Sequence, residues 1–100
     1  MAKVIWLASF EATICNYREE VEILNGPDVA KVKLRRIIKE GDALGETPNL
    51  GFFFKTDKER RDLYALPCLG GYLIYYPTKA HIFILFFIRD SDMPDSLKVR

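Results

Sequence analysis

The side chains with chemical potential in this chain are few and scattered. Arg60, Arg61, Lys79 and Arg89 are cations near the ends of predicted strands, where they either converge on one rim or are ordinary solvated charge. Cleavage of a nucleic acid would need them gathered around one phosphate. The lone histidine, His81, sits between Ala80 and Ile82 at the start of an apolar run, a position that suits a structural or surface role better than a catalytic one. Tyr64, Tyr72, Tyr75 and Tyr76 could stack on bases, but as strand residues they read first as amphipathic sheet positions. Asp90, Asp92 and Asp95 lack the ordered ligand spacing of a cation loop, so no metal is expected. Cys15 and Cys68 match no metal spacing, and Cys68 has no basic neighbour in sequence to activate its thiol. Gly70-Gly71 reads as a turn rather than a phosphate loop, and no cofactor is implied.

The elements that must position these residues are organised around Tyr72–Arg89. Two apolar runs, Tyr72–Tyr76 and Ile82–Ile88, are separated by Pro77, Thr78 and Lys79. The second run has no polar alternation, which predicts a strand covered on both faces in the middle of a sheet. It falls well short of the roughly 20 apolar residues that cross a bilayer.

The chain has 100 residues, 49% apolar and 29% charged, with 15 basic and 14 acidic side chains giving a net charge of +1. That describes a single globular domain over residues 1–100, with no global field to attract nucleic acid or membrane. The opening M-A-K-V-I-W-L-A-S-F-E has no signal-peptide pattern, and two distant cysteines suit reduced thiols, so the expected location is cytoplasmic.

Val4–Leu7 suits a first strand. Ser9 offers a helix cap, and Phe10, Ile14, Tyr17, Val21 and Leu24 then form a helical stripe closed by Asn25-Gly26. Pro27 opens a second helix, whose apolar side is Ala30, Leu34, Ile37 and Ile38 and whose basic row is Lys31, Arg35 and Lys39. Either Gly41 or Gly45 ends it. The short connection implies an antiparallel helix hairpin. Thr47–Gly51 is a turn segment, and of Phe52-Phe53-Phe54 at least one ring should reach the surface or a partner. Asp57–Asp62 reads as a solvated turn. Arg61–Leu66 alternates as a strand, with Leu63 and Ala65 opposite Tyr64 and Leu66, and Pro67 ends it. From about residue 90 to 100 the chain is a polar tail. The order is β-α-α-β-β-β, an α+β fold with the helix hairpin on one face of a small antiparallel sheet. Its second face is apolar with no element left to cover it, so it should be curled, hidden by the tail, or a protein-binding surface.

That order resembles the RelE/ParE superfamily of bacterial toxins from type II toxin–antitoxin pairs. The likeness rests on V-I-W-L-A-S-F-E at the start, Pro27 and P-N-L-G (Pro48–Gly51), G-G-Y-L-I-Y-Y (Gly70–Tyr76), and a last apolar strand ending in Arg89. The resemblance implies one of two activities. RelE-like members cut messenger RNA on the ribosome with basic residues and often a C-terminal tyrosine; ParE-like members bind and trap DNA gyrase. Here Leu73 stands where the nucleases often have arginine, and no tyrosine or histidine follows Arg89. The expectation is therefore a ParE-like inhibitor of an essential enzyme, gyrase by resemblance, neutralised by a cognate antitoxin in a heteromer and without a membrane role. Phe52, Phe53, Arg60, Arg61, Tyr64, Tyr75 and Arg89 are the residues expected to meet partners. The alternatives are a ribosome-dependent nuclease using Arg61, Lys79 and Arg89, and a non-toxic relative that keeps only antitoxin binding.

Overall fold

A computed structural model describes residues 2–94 of the chain. Strand β1 (Lys3–Trp6) leads directly into helices α1 (Ala8–Asn25) and α2 (Pro27–Asp42), followed by β2 (Phe52–Thr56), β3 (Asp62–Cys68), β4 (Gly71–Pro77) and β5 (His81–Arg89). The strands form one five-stranded sheet in the order β1-β5-β4-β3-β2. The α+β class and the helix hairpin are as the sequence implied. The sheet has one strand more than expected and is mixed rather than antiparallel, because β1 runs parallel to β5 with Lys3 opposite His81 and Trp6 opposite Ile84.

The extra strand is β2. Its three phenylalanines do not alternate because Phe54 is an added residue: Phe53 pairs with Tyr64 and Lys55 with Leu63, leaving Phe54 as a bulge. Phe54 is buried and Phe53 is 50% exposed, so one ring of the three does reach the surface. β3 continues through Pro67 to Cys68 instead of ending at the proline. Proline lacks an N–H, but β2 pairs β3 only as far as Ala65, so the far edge of Pro67 has no ladder to break.

β5 has its own bulge. Tyr75 lies opposite Ile84 and Ile74 opposite Phe86, so Leu85 is the added residue. β1 pairs no further than Ile84, where the Leu7 N–H donates to the Ile84 carbonyl at 3.1 Å. Past that point α1 takes over the edge. The Ser9 hydroxyl donates to the Leu85 carbonyl, and Thr13 Oγ1 accepts the Phe87 N–H at 2.8 Å. This explains why Ser9 is not the helix cap: its hydroxyl is engaged by the strand, and Leu7 occupies the cap position.

Phe10, Ile14, Tyr17 and Val21 are buried as the stripe implied, but Leu24 is 74% exposed. An 18-residue helix is roughly 27 Å long and outruns the surface it packs on. Gly26, at φ 90°, makes the turn, and Pro27 opens α2. Neither glycine stops α2 as expected. The helix passes through Gly41, where an added Cβ would lie 2.3 Å from the Trp6 ring, and a 3-10 turn over Ala43–Gly45 closes it.

Two apolar cores result. Between helices and sheet lie Phe10, Ile14, Ile37, Leu73, Tyr75 and Ile84, among others. On the second face Phe54, Leu63, Ala65, Tyr72, Ile74 and Leu85 are buried together with Met93. Part of the tail thus helps cover that face: Asp90–Asp92 form a 3-10 turn and Met93 packs beneath the sheet. The rest of the expected polar tail, 95–100, lies outside the described residues.

Tyr75 ties the sheet to the loop after α2. Its hydroxyl donates to the Pro48 carbonyl at 2.8 Å and accepts the Gly51 N–H at 3.1 Å. A Cβ on Gly51 would meet the Ala65 carbonyl at 2.5 Å. Tyr75→Phe should therefore cost about 1 kcal/mol, since half-exposed loop groups regain water. Gly51→Ala, which pushes backbone against backbone, should cost about 1–3 kcal/mol. Urea unfolding of the two variants should rank them in that order.

Candidate functional site

The sheet topology decides where the candidate cations go. β3, β4 and β5 are antiparallel neighbours, so the start of β3, the end of β4 and the start of β5 share one end of the sheet. Arg61 and Lys79 lie at that end. Arg89 closes β5 at the other, opposite Gly71. Nine residues of strand separate His81 from Arg89, roughly 25 Å. The three residues of the nuclease alternative are not brought together.

Arg61 closes the β2–β3 hairpin. The Asp57 carboxylate accepts the backbone N–H groups of Glu59 and Arg61 at 2.9 Å each, and the Arg61 Nε at 2.8 Å. Arg61 also pairs with Glu59 at 2.8 Å. The Arg61 N–H, then its guanidinium, hold the Asp57 carboxyl below the usual value of 3.8. The hydrogen bond that the guanidinium donates to Asp57 in turn raises its own pKa. Arg60, in the same turn, takes φ 63° and is exposed. Arg89 is held by Asp92 at 3.2 Å and by Glu20 on α1, and its pKa is raised chiefly by Asp92. Both arginines are therefore neutralised locally.

The expected partner-facing residues fall on different surfaces. Phe52 is half-buried on the second sheet face, edge-on to Tyr72 with ring centres 6.1 Å apart. Phe53 and Tyr64 meet edge-on at 6.0 Å on the helix side. Tyr75 is fully buried, so its ring has no surface to offer. β4 directs Leu73 and Tyr75 into the helix-side core and Tyr72, Ile74 and Tyr76 to the other face.

Sequence reasoning named Arg61, Tyr76 and His81 singly but missed Phe83, which joins them in a ladder across β4 and β5 with Arg61 at its end. The Arg61 guanidinium lies 5.5 Å from the Tyr76 ring centre, Tyr76 stacks on Phe83 at 6.4 Å, and Phe83 on His81 at 5.7 Å. The register that sets it begins in the β4–β5 turn, where the Thr78 hydroxyl accepts the His81 N–H at 3.0 Å. Tyr76 is then directly opposite Phe83. The connection at Pro77, Thr78 and Lys79 was legible in the sequence, and counting outward from it is the signal that would have found the pair. With half-buried Phe52, Phe86 and Ile88, the ladder gives the second face a ring-rich, amphipathic surface.

Among the described residues no group of three or more His, Cys, Asp or Glu side chains is placed to hold a metal ion. Asp95, part of the acidic trio, lies outside them. No described helix is long and apolar enough to cross a membrane. Cys15 is exposed, while burial pushes the Cys68 thiol up to about 12.

With this geometry the chain can be set beside known proteins. No protein-family model matches its sequence, and no curated protein matches it. A solved chain of the chromosomal ParDE toxin–antitoxin system from P. aeruginosa does match its structure, with a TM-score of 0.73 and 18% identity over 89% of this chain and 96% of that one. The two share one fold. The chain thus has the ParE-like α+β architecture that its sequence motifs implied, reached at an identity too low for any residue's role to follow from it.

Two outcomes follow from these placements. The depressed Asp57 carboxyl supplies stability that is present above the ordinary carboxyl value and is lost as pH falls through its lower folded value. Asp57→Asn should therefore weaken the hairpin at neutral pH and flatten the acid limb of thermal stability measured against pH. A thiol reagent at mildly alkaline pH should label Cys15 promptly and Cys68 only on unfolding, read as two separate mass increments.

Proposed function

We propose that this chain is the toxin of a type II toxin–antitoxin pair, acting in the cytoplasm by binding an essential bacterial enzyme rather than by cutting RNA. DNA gyrase is the target that the ParE resemblance implies. A cognate antitoxin would neutralise the toxin in a heteromeric complex by covering the ring-rich second face of the sheet. The fold shared with a chain of a ParDE system supports the toxin class.

The observation that carries the choice between mechanisms is the separation of Arg61 from Arg89, each bound to two carboxylates. Cleaving RNA requires charge stabilisation and proton transfer focused on one phosphate within hydrogen-bond reach. Two arginines at opposite ends of the sheet supply no such focus. A surface of stacked, half-buried rings with an arginine at its rim instead has the composition of a protein-binding hot spot.

Induced expression in a bacterial host tests the reading. The expected result is growth arrest with gyrase–DNA cleavage complexes and intact transcripts. Transcript cleavage at the ribosome, lost on Arg61→Ala or Arg89→Ala, would replace it with the nuclease alternative, and normal growth would leave only the non-toxic relative. If a co-encoded antitoxin is found, Tyr76→Ala should weaken its binding about tenfold or more in a titration, with helicity unchanged.

A further inference from the structure

The outer face of the helix hairpin points away from the sheet and from the ladder. Ile23 is 83% exposed, Leu24 74% and Val32 60%, with Val29 and Ile38 less so, so most of the exposed large aliphatics among the described residues lie on these two helices. Between the helices runs a groove of about 470 Å³, lined by Arg18 and Glu22 from α1 and by Pro27, Lys31, Leu34 and Ile38 from α2.

The charges on this face are divided by helix. α1 carries Glu11, Glu19, Glu20 and Glu22 against Arg18 alone, while α2 carries Lys31, Lys33, Arg35, Arg36 and Lys39 against Asp28, Glu40 and Asp42. Some of this is satisfied within each helix: Arg18 pairs with Glu22 at 3.5 Å and Arg36 with Glu40 at 3.8 Å. Glu20 is taken by Arg89. Lys31, Arg35 and Lys39 on α2 and Glu19 on α1 make no ion pair among the described residues. An acidic helix therefore lies beside a basic one, with unspent charge of both signs and an apolar groove between.

We infer that this face is an interface between two copies of the chain. A twofold axis running along the groove keeps the two α1 helices parallel and lays α1 of each copy antiparallel on α2 of the other. Counted from the turn at Gly26, Glu22 lies four residues back and Lys31 five ahead, and Glu19 seven back and Arg35 nine ahead, so at about 1.5 Å per residue each pair matches in height to within about 3 Å, a gap that the long basic side chains span. The axis therefore sets Glu19 and Glu22 of one copy against Arg35 and Lys31 of the other, twice over. The same operation closes Ile23, Val32 and Ile38 into the seam of a four-helix layer. A surface acidic along one side and basic along the other is complementary to itself under this rotation, as an isologous contact requires. A partner helix of uniform charge would satisfy one half and oppose the other.

The size of the face sets the strength. Sixteen residues of α2 span roughly 24 Å, and two helices side by side are roughly 20 Å wide, so the pair would bury on the order of 1,000 Å² in total. That is the low end for specific association and predicts a reversible, concentration-dependent and salt-sensitive dimer.

The test uses purified full-length chain in sedimentation equilibrium from micromolar to sub-millimolar concentration, at low and at molar salt. The expected result is a monomer–dimer equilibrium weakened by salt. The double variants Glu19→Lys with Glu22→Lys, and Lys31→Glu with Arg35→Glu, change exposed positions and should each dimerise at least tenfold more weakly. Mixed in equal amounts they should form a heterodimer, because the reversed α1 of one then meets the reversed α2 of the other at one contact and the two unaltered helices meet at the second. A wild-type chain that stays monomeric, variants that dimerise like wild type, or a mixture that fails to pair would each overturn the inference and leave this face to a partner of different sequence.

Discussion

Everything in this molecule depends on burying β5 on two faces and two edges at once. Seven consecutive residues, I-F-I-L-F-F-I (Ile82–Ile88), present apolar side chains to both sides of the sheet, and each side needs a cover. The helix hairpin supplies one. The turn that carries Met93 covers part of the other. The edges are harder, because every backbone N–H and C=O beside the core must find a partner. β4 takes one edge along its whole length. β1 takes the first half of the other, and Ser9 and Thr13 finish it with side-chain hydroxyls. The Leu85 bulge is where strand pairing gives way to helix, and it shifts the alternation of β5 so that Leu85 and Phe86 both join the second core.

That arrangement also sets what the charged residues can do. An antiparallel meander carries residues close in space to one end and their sequence neighbours to the other, so Arg61 and Lys79 are separated from Arg89 by the length of β5. Each arginine then completes a local structure: Arg61 caps the β2–β3 hairpin through Asp57, and Arg89 bolts the end of the sheet to α1 through Glu20. These are structural uses of charge. The proposed binding surface is built from rings instead, with one arginine stacked at its end.

Much of this was legible in the sequence because helices write their period locally. The stripe from Phe10 to Val21, the Gly26-Pro27 junction and the opposed pairs Leu63/Ala65 and Tyr64/Leu66 all follow from spacing alone. What was hidden depended on partners far along the chain. β2 does not alternate because a bulge at Phe54 interrupts it, and the register that creates the bulge belongs to β3. Pro67 stands inside a strand because β2 is too short to reach it. Tyr75 and Tyr76 look interchangeable in sequence, yet one is sealed in the core and the other is central to the ladder. Only the register with β5 tells them apart. The separation of the cations was hidden for the same reason, since it requires knowing which strand ends are neighbours.

The parallel pairing of β1 has a consequence for how the protein is made. Lys3 sits opposite His81, so the first strand has no place in the sheet until almost all of the described chain has been synthesised. The helix hairpin, whose contacts are local, can form as soon as it emerges. The ladder surface cannot, because Phe83 and His81 belong to the last strand. Closing a loop of this length is entropically costly and slow compared with helix formation. Translation therefore delivers the helical face first and the ring-rich face last, and a nascent chain interrupted before β5 lacks the ladder.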